Sequence, residues 1–368
     1  MTKTYASLFA LSVFACDNNN GDDTDLPIQN NAVIVAGDFT PGSPGVMSSL
    51  DLATTTVAQG VAPTGAVGDD PIMRRFGSEL FVVNRADGNN ITILDAITFE
   101  LVEQLATGAG SNPQDVAVVG NELYVPALGT SGVVVVERGT GATRQIDLSA
   151  LDPADGVPDC ASAFTVGDQV FVACGRLDNF VAGGNGVVAV LDTADADAVT
   201  TFELQNPNPF GVFERMPLAA GGDLVIPTVP AFSDFSTGCV ERINLEGTPT
   251  SSCAITNLTI GGLATRINFE TTADATVMWM VSASFGINGA VGNVQGLDLD
   301  SDEHIPAITP ATQVVVDFAL CPGNEMVVAD ATMASNGLRV YGPDRTETTT
   351  APLAVGLKPA SSHGLSCY

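Results

Sequence analysis

Residues 112–148, NPQDVAVVGNELYVPALGTSGVVVVERGTGATRQIDL, decide the fold. Val116 to Val119 is an apolar run closed by Gly120-Asn121, and Leu123 to Pro126 follows at once, the pattern of a tight hairpin. A Gly-Thr-Ser-Gly loop then leads into Val133 to Val136, which is β-branched throughout and too short for a buried helix. It reads as a strand covered on both faces. Gly139-Thr140-Gly141 makes the next turn, and Thr143 to Leu148 alternates as a half-exposed outer strand. Four antiparallel strands in about forty residues make one propeller blade. One blade cannot bury both its faces, so copies must stack.

The rest of the chain falls on the same ruler. Inner strands are expected to open near Asp70, Asn112, Pro158, Pro209, Ala264, Thr312 and Lys358, several of them at a proline, which a strand tolerates at its first residue. Second strands are expected at 80–84, 123–126, 170–174, 224–228, 277–281 and 326–329, and third strands at 91–95, 133–137, 187–192, 239–245, 294–299 and 338–341. That makes six complete units. Residues 32–36, 46–52 and 55–58 resemble a blade lacking its first strand, and 358–368 a first strand lacking its successors. Joining the two closes the ring and leaves no free sheet edge. The expected fold is all-β, a seven-bladed β-propeller of four-stranded antiparallel blades, closed by the C-terminal inner strand against the N-terminal strands.

Two units are the least diverged. GSELFVVNRADGNNITILDAITFELVEQLATG, from Gly77 to Gly108, and Gln114 to Val118 with Asn121 to Val125, resemble the YVTN-type repeat of YncE-like seven-bladed propellers. The resemblance implies a fold over residues 31–368. It implies little about activity, because the repeat is structural.

Composition agrees with a repeat array. The 368 residues are 45% hydrophobic and only 15% charged, with 38 glycines and 21 prolines, so turns are many and amphipathic helical patterns few. The chain opens with MTKTYASLFALSVFAC, in which a short apolar stretch follows Lys3. This reads as a secretory signal over residues 1–15, too short to span a bilayer. Val13-Phe14-Ala15-Cys16 resembles a bacterial lipoprotein box, which implies lipidation of Cys16 after cleavage. Residues 16–31, acidic and without a periodic apolar face, read as a flexible tether, and 32–368 as the propeller domain. The expected location is the bacterial cell envelope, reached by the Sec route and held by lipid, facing the periplasm or the cell surface.

Thirteen basic against 42 acidic side chains give a net charge of −29, or −30 once Lys3 leaves with the signal. Phosphate backbones are repelled by such a surface, so nucleic acid is excluded as a partner. Six cysteines remain after Cys16, which in an exported chain reads as three disulfides. The blade ruler pairs Cys160 with Cys174 and Cys239 with Cys253 across hairpins, and Cys321 with Cys367 across the closure.

Chemistry is harder to find. Only His304 and His363 occur, no CxxCH and no GxSxG is present, and no pair of cysteines has metal-ligand spacing. No catalytic residue, no metal ligand and no cofactor is assigned, although a divalent cation fits the many carboxylates. The ring of inner-strand residues facing the channel supplies the binding candidates: Asp70, Arg74, Gln114, Asp115, Asp159, Arg215, Arg266, Asp317 and His363. These carboxylates and guanidiniums either hold a small ligand or pair with one another. The expected function is a monomeric binding scaffold in the envelope for a protein, glycan or small molecule. The alternative is a lactonase- or lyase-like enzyme with an acidic metal site at the channel mouth.

Overall fold

The computed structural model describes residues 30–273, 275–286, 289–359 and 362–368. The signal segment 1–15, Cys16 and the tether up to residue 29 lie outside the described residues. Seven antiparallel sheets follow one another around a ring, and the chain is a seven-bladed β-propeller. The only α-helix among the described residues is the single turn Asn257–Ile260.

The first blade is built from both ends of the described chain: Leu365–Cys367 is its inner strand, followed outward by Asn31–Ala36, Val46–Asp51 and Thr56–Gln59. The second runs Pro71–Phe76, Glu79–Asn84, Asn90–Asp95, Leu101–Ala106, and the third Ala117–Val119, Glu122–Pro126, Gly132–Glu137, Thr143–Asp147. The fourth blade is Cys160–Val166, Gln169–Cys174, Val187–Asp192, Ala198–Glu203. The fifth is Glu214–Arg215, Leu224–Pro227, Cys239–Asn244, Thr250–Thr256, and the sixth Leu263–Thr271, Thr276–Gly286, Gly289–Asp298, Glu303–Ile305. The seventh has three regular strands, Val315–Leu320, Met326–Asp330 and Gly337–Tyr341; its outer position is filled by a segment that bridges only at Glu347 to Tyr341 and Leu353 to Leu338.

The alternation of each strand explains why so many runs are apolar without polar interruption. In Glu79–Asn84, Leu80 and Val82 pack toward the first blade, while Phe81 and Val83 pack toward the third. Successive side chains leave opposite faces of a strand, and in a propeller both faces meet a neighbouring sheet. Seven separate apolar clusters result, one in each gap between blades, the last joining Ala329 and Leu338 of the seventh blade to Ile34 and Leu50 of the first.

Closure is covalent as well as hydrogen-bonded. Ala32, Val33 and Ile34 pair with Cys367, Ser366 and Leu365, and Cys321 of the seventh blade is disulfide-bonded to Cys367. The closing strand begins later than the proline rule predicts: His363 takes a left-handed turn (φ 65°), and pairing starts at Leu365 rather than near Lys358.

Two of the three expected disulfides are present, Cys160–Cys174 and Cys321–Cys367. Cys239 and Cys253 are instead free thiols, the first buried and the second exposed. The reason is register. Cys160 lies directly opposite Cys174, whereas in the fifth blade the hairpin register sets Cys253 opposite Glu241, and Cys239, beyond a bulge at Val240, falls opposite Thr256. The two cysteines are therefore set diagonally across the strand pair rather than opposite each other.

Candidate functional site

Five of the seven inner strands depart from regular pairing where a polar residue enters the channel. Bulges fall between Cys160 and Ser162, Ala264 and Arg266, and Val315 and Asp317. In the third and fifth blades the strand is interrupted between an isolated bridge at Pro113 or Pro209 and the regular pairing that resumes at Ala117 or Glu214. A bulge re-aims a side chain, and here a polar residue enters the channel at the break: Asp115, Ser162, Glu214, Arg266 and Asp317, with Arg74 from the second blade.

These side chains bind one another. Arg74 grips Asp115 with two parallel bonds, Nε to Oδ1 at 2.8 Å and Nη2 to Oδ2 at 2.9 Å. Asp115 also accepts from the Val116 amide, the Ser162 hydroxyl and the Ala163 amide. Ser162 Oγ in turn accepts from the Phe213 amide at 2.7 Å. Arg74 Nη1 lies 3.6 Å from Glu214 Oε1, and Arg266 Nη1 approaches the same oxygen at 3.3 Å. Arg266 Nε is 3.3 Å from Asp317, whose carboxylate accepts from the amides of Phe318, Gly364 and Leu365. Asp115 and Asp317 thus repeat one device: each takes its own following amide and two donors from the next blade. The network touches the inner strand of every blade.

All five charged members are buried, from 0% exposure at Asp115 and Asp317 to 7% at Arg266. Two guanidiniums face three carboxylates, so one negative charge is uncompensated if all ionise. Glu214 is the odd member: its Oε2 is buried with no hydrogen-bond partner among the described residues, and no backbone amide supports it. Burial pushes Glu214 up to about 7 against the pull of Arg266 and Arg74. Burial also raises Asp317, to about 6, opposed by Arg266 and by its three backbone donors. The proton of the network therefore resides on Glu214, because an amide-supported carboxylate favours its charged form.

Immediately above the ring opens a pocket of about 160 Å3 at the channel mouth. Its floor is made by residues just preceding the ring members: Ile72 before Arg74, Gln114 before Asp115, Ala161 before Ser162, Val212 before Glu214, and His363 before Gly364. Its walls come from the loops that join second to third strands, including Leu128, Leu177, Phe180 and Phe232, with Asp159, Asn208 and Phe210 beside them. Phe210 and Phe232 meet edge to face with ring centres 5.6 Å apart, both more than a third exposed, and Phe180 is 80% exposed.

The nine channel candidates thus separate. Arg74, Asp115, Arg266 and Asp317 are consumed in the buried ring. Gln114, Asp159 and His363 line the mouth pocket. Asp70 sits at the rim in an ion pair with Arg85, a pocket residue. Arg215 lies outside the ring: its Nε donates to the Gly222 carbonyl in the hairpin turn, and the adjacent Glu214 occupies the channel position instead. Glu214 and Ser162 escaped the sequence reading, the first because Glu214-Arg215 offers two polar neighbours of which the strand can direct only one inward. Burial, reinforced by Arg266, Arg74 and Arg85, lowers His363 well below its usual range, so the imidazole is neutral. Asp159 accepts from the Leu177 amide at 2.6 Å and is raised by burial and by Asp155 and Asp152.

A second cavity of about 620 Å3 lies between the fifth and sixth blades, with Cys253, Met278, Arg242 and His304 on its walls. Among the described residues no group of three His, Cys, Asp or Glu side chains is placed to hold a metal ion.

No protein-family model matches the chain, and no curated protein matches it in sequence. Solved structures do. The chain is similar to a quinoprotein alcohol dehydrogenase-like protein from Bacteroides thetaiotaomicron (12% identity, TM-score 0.56, covering 87% of this chain and 74% of that one). It is also similar to streptogramin B lyase (11%, 0.55, 92% of each chain) and to the dihydro-haem d1 dehydrogenase NirN (14%, 0.54, 90% and 75%). The shared property is the propeller. At these identities the likeness shows the fold alone, and propellers of this shape include enzymes as well as binding proteins.

Proposed function

We propose that this protein is a small-molecule-binding propeller of the YncE-like kind, exported and held at a bacterial membrane by lipid on Cys16, with its binding site in the mouth pocket. The observation that carries the reading is the division of labour in the channel. Arg74, Asp115, Glu214, Arg266 and Asp317 are tied into a buried ring, which leaves the cup above it as the part of the channel where polar groups converge on an apolar lining. A protein or glycan partner has less support, since the converging groups lie inside the cup and not on an open face. A lactonase- or lyase-like reaction has less support too: it needs channel carboxylates free for a metal, and Asp115 and Asp317 are held by guanidiniums and backbone amides.

The test is native mass spectrometry of the chain purified from its source cell, beside an Ala161→Phe variant whose added ring fills the cup floor. A small molecule that travels with the natural chain and is lost from the variant supports the reading. The same small molecules on both proteins would remove it. Treatment of intact cells with a protease, with and without release of lipid-anchored proteins, checks the tether separately.

A further inference from the structure

We infer that the mouth pocket takes an uncharged six-membered aromatic ring bearing a hydrogen-bond-donating substituent, such as a hydroxyl group. This rests on the reading of the pocket as the binding site. Size comes first: an apolar cavity of about 150 Å3 holds one benzene ring, and the cup measures about 160 Å3. Phe180, Phe210 and Phe232 form an aromatic rim with an edge-to-face pair already in place. Such a rim accepts a further ring in offset or edge-on contact. Exposed phenylalanines gathered at one concavity mark a surface meant to be covered.

The polar groups set the substituent. Gln114 commits its Nε2 to Asn112 and to the Pro113 carbonyl, so its Oε1 is the part of the amide left to accept. Asp159 offers a carboxyl whose Oδ2 alone is engaged, by the Leu177 amide. His363 is neutral, and its Nδ1 is engaged with Ser362. Among the described residues of the lining the one guanidinium, Arg85, is held by Asp70 and bonds its carbonyl. Acceptors are therefore available where a cation for an anionic ligand is not, and the net charge of −29 repels anions further.

Titration calorimetry of the full purified chain with phenol, benzyl alcohol, toluene and benzoate tests this directly. One donated hydrogen bond is worth about 1–1.5 kcal/mol, or roughly tenfold in affinity. Phenol or benzyl alcohol should bind about tenfold more tightly than toluene, and benzoate should bind more weakly than either alcohol. Gln114→Leu should reduce the preference for the alcohols over toluene. Benzoate binding as tightly as phenol, or toluene matching it, overturns the donor inference while the pocket stands. Failure of all four probes to saturate the natural chain removes the pocket reading along with it. The ligand panel on the natural chain decides without the variant, should Gln114→Leu fold poorly.

Discussion

Glu214→Gln keeps the shape of a protonated carboxyl at the centre of the ring but cannot ionise, so it isolates the one proton the network is built around. In the unfolded chain the carboxyl has its ordinary value of 4.5, whereas burial, against Arg266 and Arg74, pushes it up to about 7 in the fold. The folded state therefore binds the extra proton between those values. Its stabilisation is complete below pH 4.5 and is lost as pH rises through 7. At 1.36 kcal/mol for each tenfold change in proton affinity, the loss is about 3 kcal/mol. With an unfolding entropy of about 2.1 cal/mol/K per residue over the chain, this corresponds to a fall in Tm of about 4 °C. Calorimetric or circular-dichroism melts at pH 5.5 and 8.5 supply the comparison. Asp317, raised to about 6, titrates in both proteins. About 2 kcal/mol of the Glu214 stabilisation is lost between pH 5.5 and 8.5, so the natural chain should lose about 2.5 °C more than Glu214→Gln between the two pH values, and the variant should be the more stable at pH 8.5. Parallel melting curves, with the same slope in pH for both proteins, would show that Glu214 is ionised in the fold and would refute the argument from its unpartnered oxygen.

The rest of the network and the cysteines give further tests. Asp115→Ala strands Arg74 in the channel and removes five hydrogen bonds, so denaturant titration should show a loss of about 3–5 kcal/mol, the usual effect of breaking a buried pair from one side; a loss under 1 kcal/mol would mean that water enters the ring. Cys367→Ser opens a loop with a sequence separation of 46 residues and should lower stability by about 4 kcal/mol by chain entropy, read from the same titration, and an unchanged midpoint would place closure in the hydrogen bonds alone. Alkylation of the native chain should modify Cys253, with Cys239 reacting only after unfolding because it is buried and its thiol is pushed up by burial and by Cys253. A peptide map that joins Cys239 to Cys253 would contradict their diagonal register.

The architecture was legible because it depends on patterns that a strand imposes locally. Gly120-Asn121 announces a hairpin, and the β-branched run Val133 to Val136 announces a strand with sheets on both sides. Cys321 and Cys367 could be paired from the ruler alone because closure demands that their strands be neighbours. Local irregularity was not legible. The turn register that sets Cys253 opposite Glu241, and the bulge at Val240 that sets Cys239 opposite Thr256, leave no composition signal. The same blindness blurred the channel, where a break in pairing before Glu214 decides that Glu214 and not Arg215 turns inward. Which polar residues pair and which stay available is a property of seven strands meeting at one axis, and a single strand's sequence carries no record of its six neighbours.

The buried ring also explains where a ligand can go. A seven-bladed ring leaves an axial gap lined by inner strands, and such a gap must be filled by side chains or by water. Here it is filled by ions, which are expensive to bury unless each finds partners. Asp115 and Asp317 meet that condition with three backbone or hydroxyl donors apiece besides a guanidinium. The donors come from the next blade, so the same bonds that satisfy each carboxylate fix the angle between neighbouring blades. A substitution or ligand that drew Arg74 or Arg266 away would leave a buried charge and loosen the ring as a whole. The channel below the floor is thus closed to chemistry by its structural duty. The loops above the floor carry no such duty, and they are where Phe180, Phe210 and Phe232 are left exposed around the cup. Divergence among blades in loop length and apolar content is tolerated at that face because the ring beneath it already holds the blades in place.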